Sequence, residues 1–170
     1  SHGDTDAMED LAIRYQSGLG VDKDISKAYD LFKSCAEKGS GFSCVKLGNM
    51  YREGMIGDPD YDTAFQLYLL ATRYHHGYLE LGRMYEYGMG TERSYEAAAR
   101  CYTVSANLGC FEALRGLSHL YREGLGVEKS TDIADDLDRI IGKYEGSDSL
   151  GWLDEFLSNH FRESMECIRR

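Results

Sequence analysis

The sequence predicts an all-α protein built from about four helix-pair repeats stacked into a solenoid. Three observations support this: a recurring tyrosine, glycines at fixed distances after it, and helically spaced apolar residues around it. The tyrosines recur at intervals of 36, 34 and 36 residues, at Tyr15, Tyr51, Tyr85 and Tyr121. A period in this range is typical of helix pairs that bury their apolar faces by stacking on neighbouring pairs.

The first helix of each repeat, called helix A, is marked by a leucine four residues before the tyrosine. Residues four apart share one face of a helix, and the leucines are Leu11, Leu47, Leu81 and Leu117. A glycine three residues after each tyrosine suits the left-handed position that ends a helix. These glycines are Gly18, Gly54, Gly88 and Gly124, and a second set (Gly20, Gly57, Gly90, Gly126) allows a tight turn into the next helix.

The second helix of each repeat, helix B, begins after a polar residue that can cap it. The candidate N-caps are Asp24, Asp60 or Asp62, Ser94, and Ser130 or Thr131. Each helix B carries a small residue for close helix approach: Ala28, Ala64, Ala98 and Ala134. Four residues later come Phe32, Tyr68 and Tyr102, but Asp138 in the fourth repeat. An atypical last repeat is expected at the end of a solenoid.

The repeat pattern divides the chain into three parts. Residues 1–6 are predicted to be an N-terminal tail or tag remnant, residues 7–146 the solenoid, and residues 147–170 a C-terminal capping helix. Asp148 or Ser149 would cap that helix, which would run to about Ile168. Its broad apolar face, formed by Leu150, Leu153, Leu157 and Phe161 with Trp152, Phe156 and His160, is expected to cover the last repeat. The alternative is that part of this face docks on a partner or on a second copy of the protein.

Charge and hydropathy exclude several classes of partner. The 170 residues carry a formal net charge of −10, which disfavours nucleic acid because nucleic-acid binding needs a basic surface. No apolar run is long enough to span a bilayer, so membrane insertion is not expected. No signal peptide is visible, which leaves a cytoplasmic location open, or a periplasmic or secreted one if such a segment was trimmed. The oligomeric state is also left open.

The repeat motif resembles the Sel1-like repeat family, a relative of the tetratricopeptide repeat. The pattern A…L-G-x-x-Y-x-x-G-x-G-V…A…Y…A-x-x-x-G is carried by Ala113, Leu117, Tyr121, Gly124, Gly126, Val127 and Ala134. It is carried again by Leu81, Gly82, Tyr85, Gly88, Gly90, Ala98, Tyr102, Ala106 and Gly109. The resemblance covers roughly residues 7–146. It implies a right-handed α/α solenoid that serves as a non-enzymatic adaptor or scaffold, with a bacterial origin expected from the family's habit.

The resemblance also raises the question of a disulfide. A cysteine-rich branch of the family joins the two helices of a pair with a disulfide, and Cys35 and Cys44 straddle the corresponding junction. That branch places its first cysteine where Ala36 stands here, and one residue is about 100° of helical rotation. Five cysteines also leave one unpaired. A Cys35–Cys44 disulfide and buried free thiols therefore both stay open.

The sequence contains short motifs that elsewhere accompany catalysis, metal binding or phosphate binding. Ser43 to Lys46 spells S-x-x-K, the signature of penicillin-recognising enzymes, but the partner motifs S-D-N and K-T-G are missing. The adjacent His75 and His76 point apart, and Cys101, Cys110 and His119 are spaced too loosely for a zinc site. The glycine pairs end helices, and no G-K-[ST] follows them. We therefore predict no catalytic residue, no metal and no cofactor.

The family analogy predicts where a partner would bind. In tetratricopeptide relatives, helices A line a concave groove, and the residues six before, two before and one after the tyrosine face it. Here the analogy selects Asn49, Arg52, Arg83, Glu86, Arg115, His119 and Arg122, with Val45 and Leu79, and Glu9, Ile13 and Gln16 in the first repeat. Arginine forks bind carboxylates with two hydrogen bonds, which predicts a groove for an acidic or C-terminal peptide segment. The alternative is that glutamates on the same helices neutralise the arginines in i,i+3 or i,i+4 pairs.

The predicted function is therefore a protein–protein interaction module whose groove binds a protein or peptide. A second reading is a stoichiometric inhibitor or immunity-type protein whose acidic surface binds a basic toxin or enzyme. A remote third reading is a penicillin-binding or β-lactamase-like enzyme that uses Ser43.

Overall fold

The computed structural model describes residues 2–146 and 151–160, and all regular secondary structure in these ranges is α-helical. The helices are α1 (His2–Ser17), α2 (Ile25–Glu37), α3 (Gly41–Arg52), α4 (Tyr61–Leu70), α5 (His75–Tyr87), α6 (Tyr95–Asn107), α7 (Ala113–Glu123), α8 (Thr131–Tyr144) and α9 (Gly151–His160). None of these helices is both long and apolar enough to cross a membrane.

Consecutive helices pack as pairs, and the pairs stack in chain order. The pairs are α1–α2, α3–α4, α5–α6 and α7–α8, and each pair contacts the next. Helix α9 packs on α8 and also contacts α6. The predicted solenoid of four helix pairs followed by a terminal helix is therefore confirmed.

Each B helix begins with a polar side chain that caps its N-terminus. The side chains of Asp24, Asp60, Ser94 and Ser130 each accept a hydrogen bond from the backbone N–H three residues later, at 2.9 to 3.3 Å. The structure thus selects Asp60 over Asp62 and Ser130 over Thr131. Because the first N–H groups of a helix have no partner within it, each cap satisfies one of them.

The buried face of each B helix is formed as the sequence predicts. Ala28, Ala64, Ala98 and Ala134 are all fully buried. Phe32, Tyr68 and Tyr102 are buried with them, whereas Asp138 is largely exposed. The buried alanines let helices A and B approach closely, which brings the aromatic rings of α2, α4 and α6 against the A helices.

Helix α9 covers the C-terminal end of this core. Trp152 and Phe156 are 4% and 2% exposed and belong to the same apolar cluster as Leu137 and Ile140 of α8. The expected capping role is therefore borne out for residues 151–160. The predicted caps Asp148 and Ser149, the apolar Leu150 and Phe161, and the predicted end at Ile168 lie outside the described residues.

The first helix begins earlier than the sequence analysis expects. It starts at His2, so residues 2–6 form the first turns of α1 and do not precede it as a tail. Asp4 in the first turn suits the partial positive charge of a helix N-terminus. The carbonyl of Thr5 lies 3.7 Å from the Cys35 thiol of α2, which ties this turn to the first repeat.

Cys35 and Cys44 are both free thiols, and the disulfide implied by the cysteine-rich branch is not formed. The two side chains face different neighbours. The Cys35 thiol is directed at Thr5 of α1, whereas Cys44 packs with Tyr68 and Ala71. Burial raises the pKa of both thiols, which keeps them protonated and unreactive.

Candidate protein-binding groove

Two adjacent clefts lie along the A helices of the third and fourth repeats. The first, the α5–α7 cleft, has a volume of about 270 Å³ and is lined by Leu79, Arg83, Glu86, Tyr87, Tyr102, Glu112, Arg115, Gly116 and His119. The second, the α7–α8 cleft, has a volume of about 440 Å³ and is lined by Arg115, Ser118, His119, Arg122, Asp138, Ile141 and Gly142. Arg115 and His119 belong to both, so the clefts form one surface, which we call the groove.

Tyr102 of α6 forms the floor of the α5–α7 cleft. Its ring lies between Gly82 of α5 and Gly116 of α7, and a Cβ on either glycine would come within 2.5 Å of a ring atom. No real side chain tolerates that distance, so the ring fits between the two A helices only because both positions are glycine.

A buried carboxylate lies beside this floor. The Tyr102 hydroxyl donates a 2.6 Å hydrogen bond to Glu86, whose side chain is 7% exposed. Burial and this hydrogen bond raise the pKa of Tyr102, so the phenol remains the donor. On the opposite side, Nε2 of His119 in α7 lies 3.7 Å from Glu86, which links the A helices of two consecutive repeats.

Each predicted groove arginine is already paired with a carboxylate of the same chain. Arg83 contacts Glu80 at 2.7 Å, and Arg115 contacts Glu145 at 2.5 Å. Arg122 reaches two carboxylates of α8, Asp135 at 3.0 Å and Asp138 at 2.6 Å. The hydrogen bonds that Arg122 donates to Asp135 and Asp138 raise the pKa of its guanidinium.

The pairs differ in the burial of their acidic partner. The Glu80 side chain is 7% exposed. Glu145, Asp135 and Asp138 are 61%, 68% and 51% exposed. Arg83 is therefore fixed by a buried partner in an i,i+3 pair of the kind the alternative reading expects, while Arg115 and Arg122 are held by solvated carboxylates outside their own helix.

The structure brings five of the seven predicted groove residues together: Arg83, Glu86, Arg115, His119 and Arg122. Asn49 and Arg52 of α3 line neither cleft. Asn49 accepts a 2.7 Å hydrogen bond from the Tyr68 hydroxyl, and Arg52 is 24% exposed and contacts Glu53 at 2.8 Å. Burial raises the pKa of Tyr68, so its phenol stays protonated. In the second repeat the buried tyrosine is therefore bonded to a neutral amide.

Three residues that line the groove, Tyr102, Ser118 and Asp138, are not among the predicted groove residues. The sequence places Tyr102 on the packing face of its helix B and marks Asp138 as a departure from the repeat. Ser118 occupies the position of Gly82, and its hydroxyl donates a 2.6 Å hydrogen bond to Asp138, which occupies the position of Tyr102. The paired departures at these two positions were the available signal, because the side chains concerned contact each other.

The serine of the S-x-x-K motif lies at the contact between α1 and α3. Ser43 is fully buried, and its hydroxyl donates a 2.7 Å hydrogen bond to Glu9 of α1. The Lys46 ammonium lies 5.2 Å from the centre of the Phe42 ring. Ser43 therefore helps to join α1 to α3.

A family model described as Sel1 repeat matches residues 5–40, 41–73, 75–110 and 111–134. The chain belongs to the Sel1 repeat family. Sel1 repeats typically form protein-interaction modules, and the family is usually non-catalytic. A search of curated proteins finds no sequence match for this chain.

Similar solved structures are bacterial Sel1-type solenoids. The first is c5321, a protective antigen of uropathogenic Escherichia coli strains with an SLR fold, at a TM-score of 0.74 and 27% identity, covering 92% of this chain and 38% of that one. The second is a Sel1 repeat protein of Oxalobacter formigenes, at a TM-score of 0.70 and 25% identity, covering 91% of this chain and 63% of that one. The third is Helicobacter pylori cysteine rich protein B, at a TM-score of 0.55 and 24% identity. The match covers 64% of this chain and 85% of that one, and it shows the fold alone. The chain spans less than two thirds of the length of the first two proteins.

Proposed function

We propose that this Sel1 repeat protein is a non-enzymatic adaptor that binds an acidic or C-terminal peptide segment of another protein in the groove. The observation that supports this most is the juxtaposition of Arg115, His119 and Arg122 on α7. Their side chains are 55%, 53% and 39% exposed and face two clefts that share a wall.

The exposed ion pairs of these arginines favour exchange with a ligand. An ion pair between solvated side chains contributes little to stability, because water and salt screen it. A carboxylate of a bound peptide can therefore replace Glu145 at Arg115, or Asp135 at Arg122, at little cost. Arg83 differs, since releasing it would leave the buried Glu80 carboxylate without its ion-pair partner.

The floor of the groove is apolar and well packed. Leu79 and Tyr102 in the α5–α7 cleft, and Ile141 in the α7–α8 cleft, are at most 7% exposed, so binding of a peptide would rest mainly on the exposed polar side chains of α7. Glu86 places a buried carboxylate beside the first cleft, and the half-exposed His119 lies 3.7 Å from it. Peptide carboxylates are therefore expected to bind at Arg115 and Arg122, away from Glu86.

A peptide array tests this proposal. Acidic and basic peptides are displayed with either a free or an amidated C-terminus and probed with the wild-type chain and with Arg115→Ala/Arg122→Ala. We expect acidic peptides to be retained by the wild type. The double variant should bind them about tenfold or more weakly, because it removes charge-assisted hydrogen bonds. Loss of signal on amidation would assign the C-terminal carboxylate as one of the groups bound.

The matched control is Arg73→Ala/Arg100→Ala, which removes the same two charges at exposed positions outside both clefts. It should bind as the wild type does. Equal losses of peptide binding in the two double variants would mean that net charge, and not the groove, explains the loss. Unchanged binding by Arg115→Ala/Arg122→Ala would contradict the groove as the site.

The second candidate function is an acidic protein that binds a basic partner. The net charge of −10 and the exposed Asp135 and Asp138 of α8 favour it. The same array separates the two, because selection of basic peptides, with release by salt, would favour the second candidate. The Arg122 contacts weigh against it, since they already neutralise part of that acidic face.

A further inference from the structure

A cluster of three metal-ligand side chains lies at the junction between the third and fourth repeats. A ring nitrogen of His76, the thiol sulfur of Cys110 and a carboxylate oxygen of Glu112 all lie within 4.8 Å of one another. His76 is in the first turn of α5, Cys110 is in the turn before α7, and Glu112 is the N-cap residue of α7. Consecutive repeats thus bring together side chains that are distant in sequence.

One of these three side chains carries an unsatisfied polar atom. Nδ1 of His76 is buried and has no hydrogen-bond partner within residues 2–146 and 151–160. A buried polar atom without a partner is costly, and coordination to a metal is one way to satisfy an imidazole nitrogen. The ring orientation is fixed from outside the cluster, since Tyr74 stacks on His76 with ring centres 5.2 Å apart.

The preceding junction provides an internal comparison. Counted from the repeat tyrosine, the positions of His76, Cys110 and Glu112 are held one repeat earlier by Phe42, Tyr74 and His76. There the Phe42 and Tyr74 rings meet edge to face at 6.1 Å. One junction is therefore filled by aromatic rings, while the next one carries three metal-ligand side chains at the same positions.

We propose that His76, Cys110 and Glu112 bind a single Zn²⁺ ion, with water in the fourth position. One nitrogen, one sulfur and one oxygen ligand suit zinc, whose sites combine these three donor types. Neighbouring ligand atoms of a tetrahedral zinc site lie about 3.3–3.7 Å apart, given bond lengths of about 2.0–2.3 Å. The Cys110 sulfur and Glu112 already lie 3.3 Å apart, and Glu112 is exposed and free to adjust its rotamer.

Binding exchanges a proton for the metal. In the metal-free chain the Cys110 thiol donates its hydrogen bond to Glu112. When Zn²⁺ binds, Cys110 coordinates as the thiolate, and its proton leaves to solvent. Glu112 also lines the α5–α7 cleft, so the ion lies at one end of the groove. The proposal does not depend on the function proposed for the groove.

Cobalt(II) is the spectroscopic probe for this site, since it occupies zinc sites and absorbs light when bound to thiolate. The reduced chain is titrated with Co²⁺, and Zn²⁺ is then added in competition. We expect a thiolate-to-cobalt charge-transfer band that saturates at one equivalent and disappears on addition of Zn²⁺. A wild-type chain without this band would overturn the proposal.

The variants are His76→Gln, Cys110→Ser and Glu112→Gln, with His75→Gln and Cys101→Ser as matched controls. Each ligand variant should weaken Zn²⁺ binding by at least about tenfold, since even outer-shell changes have effects of that size. The controls should bind as the wild type does, and the band should vanish in Cys110→Ser but persist in Cys101→Ser. Wild-type affinity in His76→Gln or Glu112→Gln, or equal losses in the controls, would contradict the site.

Thermal unfolding without metal verifies that each variant is folded. If Cys110→Ser does not fold, the Zn²⁺ affinities of His76→Gln and Glu112→Gln test the site.

Discussion

At the scale of single residues, each repeat pairs a residue of helix A with one of helix B where the helices cross. The pairs are Ala12 with Phe32, Gly48 with Tyr68, Gly82 with Tyr102, and Ser118 with Asp138. The aromatic rings need a residue without a bulky side chain opposite them. In the last repeat a hydrogen bond between Ser118 and Asp138 replaces that packing, because the B-helix side chain there is partly solvated.

We predict that Gly116→Ala and Gly82→Ala each destabilise the protein. The added Cβ would lie 2.5 Å from the Tyr102 ring, and such overpacking typically costs about 1–3 kcal/mol. Gly142→Ala is the matched control, because it lies in α8 with no neighbour within 4 Å of the added Cβ. It should stabilise the protein by up to about 1 kcal/mol through helix propensity. Urea denaturation measures all three, and a stabilising Gly116→Ala would contradict the packing described.

At the scale of elements, apolar contacts and the Glu155 carboxylate attach α9 to α8. Glu155 accepts hydrogen bonds from Arg139 at 2.6 Å and from Lys143 at 2.9 Å. These two bonds lower the pKa of Glu155 from 4.5 to about 2. Trp152, the one tryptophan of the chain, is buried in the same helix, so its fluorescence reports on the attachment.

We predict that Glu155 makes the attachment of α9 weaken in acid. A carboxyl group whose pKa is lowered by folding stabilises the folded state above its ordinary pKa and loses that effect as pH falls. The wild type should therefore exceed Glu155→Gln in stability by a constant margin above about pH 4.5, and the margin should shrink toward pH 2. Thermal unfolding followed by Trp152 fluorescence measures this margin. A margin that is the same at pH 3 and pH 7 would contradict the role given to Glu155.

At the scale of the whole molecule, the core is divided along the solenoid. The buried apolar residues of the described part of the chain form three clusters. One is centred on Phe32 and Met50, one on Tyr68 and Met84, and the third runs from Leu79 to Phe156. Helix pairs that contact only their neighbours have stabilities that add nearly independently along the chain. The two ends are therefore expected to open separately.

We predict opposite effects from Phe32→Ala and Leu137→Ala on hydrogen exchange. The two side chains are 0% and 1% exposed, and truncating such residues costs about 2–5 kcal/mol. Phe32→Ala should speed amide exchange in α1–α3 while α7 and α8 keep their protection, and Leu137→Ala should do the reverse. Exchange measured by mass spectrometry on peptides from each helix resolves the two patterns. Uniform acceleration along the chain in both variants would mean that the protein opens as one unit.

The limits of the sequence are clearest in the groove. The family offset from the repeat tyrosine selects Arg83, Arg115, His119 and Arg122, which line the two clefts, because a regular repeat fixes which residues share a helix face. It also selects Asn49 and Arg52, which contact Tyr68 and Glu53 and line neither cleft. It also did not identify the partners of Arg115 and Arg122, because Glu145 and Asp135 come from an adjacent loop and helix.

The sequence alone determined the repeat period, the places where the B helices begin and the buried face of these helices, because local hydrogen bonds and helical periodicity set these features. The structure then chose Asp60 and Ser130 among the candidate N-caps. Tertiary structure alone decided that Tyr102 forms the floor of a cleft, that Cys35 and Cys44 face apart, and that His76 meets Cys110 and Glu112. These contacts join side chains on different helices. Their distances depend on how one repeat is stacked on the next, which no pattern within a single repeat specifies.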